Sequence, residues 1–168
     1  MTSQPSRQRP NGARGKEGAL VTSSTSGDGP AASFDNEAVA RMLAADAASG
    51  SLGIELTDLA IGSATVTMTI RPDMVNGHAI GHGGYVFLLA DTAFACACNT
   101  HGPVTVAASA DITYIRPVRA GDKLTAHAVE RITYGRSGIY DVTVRRGNET
   151  IAEFRGISRT VQGSLPSA

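Results

Sequence analysis

The chain has 168 residues, 42% of them hydrophobic, which is enough for one domain with a real core. Lysine plus arginine equals aspartate plus glutamate at 15 each, so no net field draws it to nucleic acid or an anionic membrane. No early stretch has the charged start, apolar centre and small-residue cleavage site of a secretory signal, and no apolar run reaches the ~20 residues of a bilayer span, so no membrane partner and a cytoplasmic location are expected.

Residues 1–33 are rich in Ser, Gly, Pro, Arg and Gln with almost nothing to bury, and a disordered N-terminal extension is expected there. Its arginines and few acids also fit a transit peptide, but it has no amphipathic face. The composition shifts at Phe34, and a single domain is expected over 34–162, followed by a short flexible tail over 163–168. "FDNEAVARMLAADAASG" places Val39, Met42, Leu43 and Asp46/Ala47 at helical spacing and stops at Gly50. "LGIELTDLA" and "SATVTMTI" read as two short strands with "IGS" as the turn between them.

Residues 71–81, "RPDMVNGHAIG", form a loop that delivers the chain to an apolar helix starting at "HGG". Cys96 and Cys98, two apart on that helix, point to nearly opposite sides and read as small core thiols. Four alternating runs follow, "VTVAASADITYI", "DKLTAHAVERIT", "SGIYDVTVRR" and "ETIAEFRGISRTV", and the links "RPVRAG", "YGR" and "GN" suit a meander or long hairpins. The order is an α+β pattern with a largely antiparallel sheet. A helix apolar on every side must be covered on every side, which calls for a curved sheet around it and a second copy of the chain on the remaining flank.

Asp91 is the one charge in that helix, and an isolated carboxylate in an apolar setting must be paired, neutralised or placed beside a wet cleft. Gly83 and Gly84 open the helix, where N–H groups without intrahelical partners can hold a developing negative oxygen. Gly83 and Asp91 are eight positions apart, roughly 12 Å along the axis at 1.5 Å per residue. If both act on one carbonyl they must come from different subunits, so the spacing argues for a dimer with two interface sites. The arrangement suits acyl transfer to water, with Asp91 as general base or as nucleophile.

"MVNGHAIGHGGYVFLLADTAFACACN", together with "ITYIRPVRAGDKLTAHA" and "FRGISRTV", resembles the hotdog-fold acyl-CoA thioesterases, most closely the phenylacetic-acid-degradation PaaI group, over about residues 36–161. The resemblance implies a long central helix wrapped by a curved antiparallel sheet, dimers pairing into tetramers, and hydrolysis of aryl-acetyl-CoA without a metal or other cofactor. It implies Asp91 as the catalytic acid, Gly83 as oxyanion donor, His82 beside the thioester, Asn76 as a placing residue and Thr92 as a secondary polar contact. The branch that acts on 4-hydroxybenzoyl-CoA is a poorer match, because Asp73 is three residues from Gly77 rather than two.

For coenzyme A, cationic or backbone donors are expected from Gly84, Arg116, Arg119, Lys123, Arg136 and Ser137. His78, His101 and His127 have no metal spacing. Tyr85, Phe87, Leu88 and Phe94 read first as packing residues. Two rival readings remain at this point: a hotdog enoyl-CoA hydratase, and a non-catalytic acyl-CoA-binding protein that has no use for Asp91.

Overall fold

The computed structural model describes residues 37–162. The expected extension over 1–33, the start of the first helix and the tail over 163–168 lie outside the described residues. Two helices, α1 (Glu37–Ala45) and α2 (Ala47–Ser51), stand where one was expected. Asp46 is the reason: its side chain accepts the Ser49 N–H and so caps a new helix in the middle of the helical pattern.

After these come β1 (Glu55–Ala60), β2 (Ser63–Thr69), a short 3-10 turn (Pro72–Met74) and the long α3 (Gly83–Cys98). Four strands complete the fold, β3 (Thr105–Tyr114), β4 (Lys123–Tyr134), β5 (Ser137–Arg146) and β6 (Glu149–Thr160). They form one antiparallel sheet in the order β1-β2-β4-β5-β6-β3. Three strands, β4, β5 and β6, do form a meander, with Gly135 and Gly147 at φ +57 in its two tight turns. "RPVRAG" is not a hairpin. It carries the chain from β3 at one edge back to β4, which pairs with β2.

The sheet curls around α3, helped by bulges in β1, β3, β4 and β6. Its inner face contributes Val66, Met68, Leu124, Ala126, Tyr140, Val142 and Phe154, all buried against Leu89, Ala93 and Phe94 of α3. The ring of Phe94 lies on the backbone of Gly156, where a Cβ would come within 2.9 Å of it.

Within one protomer the sheet leaves one flank of α3 uncovered. Gly84, Leu88, Asp91, Ala95 and Asn99, spaced by three or four residues, form a stripe that is only partly covered or exposed. Asp91 sits at its centre. Along β3, residues 106–111 are exposed, and that edge has a strand on one side only among the described residues. No helix among the described residues is long and apolar enough to cross a membrane.

Candidate active site

The site is built around the two halves of α3. At its start, His82 is the N-cap in extended geometry, and its Nδ1 accepts the Gly84 N–H at 3.0 Å. That bond takes Gly84 out of the set of free donors. The Gly83 N–H has no partner among the described residues, so it is the free donor at the positive end of this 16-residue helix.

The loop before the helix is held by its own backbone. Val75 bridges Gly81, the His82 N–H donates to the Met74 carbonyl at 2.8 Å, and the Gly81 N–H donates to Val118 O at 2.7 Å. Asn76 shapes the turn: Oδ1 accepts from the N–H of His78 at 2.9 Å, and its backbone N–H donates to Ile80 O at 2.8 Å. Ala79, inside that turn, adopts the left-handed region at φ +56. The Asn76 side-chain NH2 has no partner among the described residues and remains available to a ligand.

Asn76, Gly83, Arg116 and Tyr114 line one groove of about 430 Å³ with Ile80 and Val118. Tyr114 went unnoticed in the sequence because it looks like any aromatic on an alternating strand. Its hydroxyl donates to the Gly83 carbonyl at 2.9 Å, and its ring would stand 2.9 Å from a Cβ at position 83. Only glycine gives the backbone this close approach at the mouth of the groove.

Asp91 lies two turns along α3, half-buried. Its carboxylate makes no hydrogen bond or ion pair among the described residues, and burial, followed by the negative charge of Asp46, pushes its pKa up from the ordinary carboxylate value. A carboxylate with no assigned partner and a raised pKa is suited to taking a proton or attacking a carbonyl. Its neighbour Thr92 faces inward. Thr92 is 5% exposed, and its one hydroxyl proton is shared between Leu88 O and Ser49 Oγ, each at 2.9 Å, so its hydroxyl is occupied within the protein.

The cationic residues divide. The Arg116 guanidinium is exposed, pairs with Glu149 at 3.0 Å and donates to Thr150 O at 3.0 Å. The Arg136 side chain has no partner among the described residues, while the charge of Arg119 helps hold Asp122 ionised and its backbone N–H donates to Asp122 at 2.8 Å. Ser137 and Arg136 border a small pocket with Cys98 and His101, at the end of α3 opposite Gly83. Within one protomer they are not brought to the groove that holds Asn76 and Gly83. Among the described residues no group of three or more His, Cys, Asp or Glu side chains is placed to hold a metal ion.

Comparison with known proteins places this arrangement in context. Residues 78–153 match the profile of the thioesterase superfamily. The chain is 45% identical over 121 residues to the acyl-coenzyme A thioesterase PaaI of Escherichia coli K12, a match covering 71% of this chain and 86% of that protein. The solved structure of the E. coli PaaI protein from the phenylacetic acid degradation operon superposes with a TM-score of 0.74 at 41% identity, covering 77% of this chain and 95% of that one. A mutant of the phenylacetic acid degradation protein PaaI from Thermus thermophilus superposes with a TM-score of 0.65 at 38% identity, covering 67% of this chain and 97% of that one.

Proposed function

The chain belongs to the PaaI acyl-CoA thioesterases of the thioesterase superfamily, hotdog-fold enzymes that hydrolyse acyl-CoA thioesters, and from that premise we propose that its substrates are phenylacetyl- and hydroxyphenylacetyl-CoA, cleaved to free acid and CoA. The names of the E. coli and T. thermophilus relatives, both tied to phenylacetic acid degradation, support the acyl class. Asp91 of one subunit and the Gly83 N–H of the other form each site.

The observation that carries this reading is the pair of unpartnered groups on one helix, an N–H at its first residue and a half-buried carboxylate two turns later. They are roughly 12 Å apart along the axis, too far to share a carbonyl. Two copies of α3, antiparallel about a twofold axis, bring each Gly83 to the other's Asp91. The open stripe of α3 and the long unpaired edge of β3 are the surfaces that such a dimer covers. Pairing of dimers gives the tetramer, and the protein acts in the cytoplasm.

In the general-base route Asp91 takes a proton from water as its oxygen attacks the thioester carbon. The carbonyl oxygen becomes negative against the Gly83 N–H, the C–S bond breaks, and the proton passes to the departing thiolate. In the nucleophilic route an Asp91 oxygen attacks, CoA thiolate leaves, and water then cleaves the mixed anhydride. Both consume one water, and neither calls on a metal or cofactor. Asn76 and Arg116 line the groove; this reading gives the Asn76 NH2 and the His82 imidazole the placing of the acyl group or water, and Arg116 and Arg119 the phosphates of CoA. Arg136 and Ser137 reach that site only from the partner.

Thiol release from phenylacetyl-, hydroxyphenylacetyl-, benzoyl- and medium-chain acyl-CoA, with wild type beside Asp91→Asn, tests the proposal. It expects the two arylacetyl thioesters to be cleaved fastest and the variant to be inactive with its fold intact. A preference for medium-chain substrates contradicts the acyl assignment, and an active variant contradicts the role of Asp91.

A further inference from the structure

Asp46 does more than an N-cap requires. The Ser49 N–H donates to its Oδ1 at 3.0 Å and the Ser49 hydroxyl to its Oδ2 at 2.5 Å. Ser49 is 2% exposed, and with its own proton given to Asp46 the same oxygen accepts from Thr92 Oγ1 at 2.9 Å, a proton that Thr92 shares with Leu88 O. A cap needs only the backbone bond. The two hydroxyls add a specific link from this carboxylate to the residue that follows Asp91 on α3.

We propose that Asp46 is a positioning residue for thioester hydrolysis: through Ser49 and Thr92 it fixes the turn of α3 that carries Asp91, and it keeps a fixed negative charge on the helix that packs there. The inference rests on Asp91 being the reacting group.

The two acids have opposed surroundings. The hydrogen bond from the Ser49 hydroxyl, with those from backbone N–H groups, holds Asp46 below the ordinary carboxylate value despite partial burial. Asp91 receives no such bond and is pushed up by burial and by Asp46. Two carboxylates driven apart in this way divide into a fixed anion and a proton acceptor.

Of the other charged groups around them, Arg71 reaches α2, donating to Ser51 O at 3.2 Å, and is paired with Asp73 at 3.0 Å. Cys96 and Cys98 on α3 are both pushed up to about 12, chiefly by burial, and stay neutral. The sheet offers Tyr140 to the inner face, raised by burial and by Glu130, which is itself bonded to His101. Asp141, Glu153 and Arg155 line a groove on the outer face of the sheet. On α1, Arg41 pairs with Glu37 at the surface.

The test is kcat/KM for thiol release against pH in the full chain. Asp46→Asn and Asp46→Ser both keep a good N-cap and remove the charge, so folding survives in at least one. In both, the acidic limb is expected to move to lower pH, leaving activity where wild type has lost it. Thr92→Val breaks the link and leaves the charge, so it lowers kcat with the limb in place. An unmoved limb in both Asp46 variants, with Asp91→Asn inactive, overturns the inference alone and makes Asp46 a cap. An active Asp91→Asn overturns the reading on which it rests.

Discussion

Gly156→Ala tests how tightly α3 is seated in the sheet. Gly156 lies on β6 between Tyr140 of β5 and Ala110 of β3, and an added Cβ would fall 2.9 Å from three atoms of the Phe94 ring. Ordinary carbon contacts are about 3.5–4.0 Å, so the ring must retreat by roughly 0.6–1 Å. It has little room: Phe94 is 1% exposed, with the Tyr140 ring 5.4 Å and the Phe154 ring 5.9 Å away, centroid to centroid.

Overpacking of this kind costs about 1–3 kcal/mol, while alanine in place of glycine in a strand returns about 0.5–1 kcal/mol of backbone entropy. The net expectation is a loss of up to about 2.5 kcal/mol, centred near ~1 kcal/mol, or roughly 3–5 °C in Tm at that centre for a domain of this size. Thermal unfolding at fixed protein concentration measures it. Phe94→Leu in the same chain should recover part of the loss, with a coupling of at least ~0.5 kcal/mol between the two sites. A Gly156→Ala protein that melts at or above wild type, or two losses that simply add, refutes the packing argument.

Two further outcomes follow from the site. Because burial and Asp46 raise Asp91 in the folded state, its ionised form opposes folding, so Asp91→Asn should be more stable than wild type at neutral pH. That advantage should shrink as pH falls through the raised folded value and vanish below about 4, where the unfolded carboxyl is also protonated; urea unfolding across this range measures it, and a constant difference contradicts the shift. Tyr114→Phe removes the 2.9 Å bond to the Gly83 carbonyl, and a loss of about 0.5–1.5 kcal/mol is expected as a lower urea midpoint at constant slope. An unchanged midpoint would mean that water replaces the bond in full.

The long helix, the strand sequence and the lone acid were all legible in the residues, because hydrophobic period and turn chemistry are local properties. What escaped was non-local. Nothing in "VTVAASADITYI" tells that this strand joins β6 at the sheet edge, since its partner lies some fifty residues on. Asp46 fits the helical pattern by spacing, but its short side chain also competes for the Ser49 N–H and breaks the helix in two.

Thr92 looked like a contact for substrate because it follows Asp91. A step of one residue on a helix turns the side chain by about 100°, and here it turns inward to Ser49. Arg136 and Ser137 share a turn that the hairpin carries to the far end of α3, a placement no local motif reveals. Tyr114 was hidden for the same reason: its partner Gly83 is 31 residues earlier in the chain.

The most direct test of a site shared between subunits is complementation between two inactive variants. Asp91→Asn removes the carboxylate. Gly83→Pro removes the N–H, and proline suits the first helical position because His82 before it is already extended at φ −65 and ψ 130; its Cβ also displaces the half-exposed Tyr114 ring, so Tyr114→Phe beside it controls for loss of that contact. Asp91→Asn and Gly83→Pro alone should each be inactive in thiol release. In a dimer of one copy of each, one site carries both lesions and the other is intact. A randomly assorted one-to-one mixture, co-expressed, should therefore recover about a quarter of wild-type activity. No recovery, with mixed dimers demonstrated, would place Gly83 and Asp91 in the service of the same subunit or of no common site, and contradict the account.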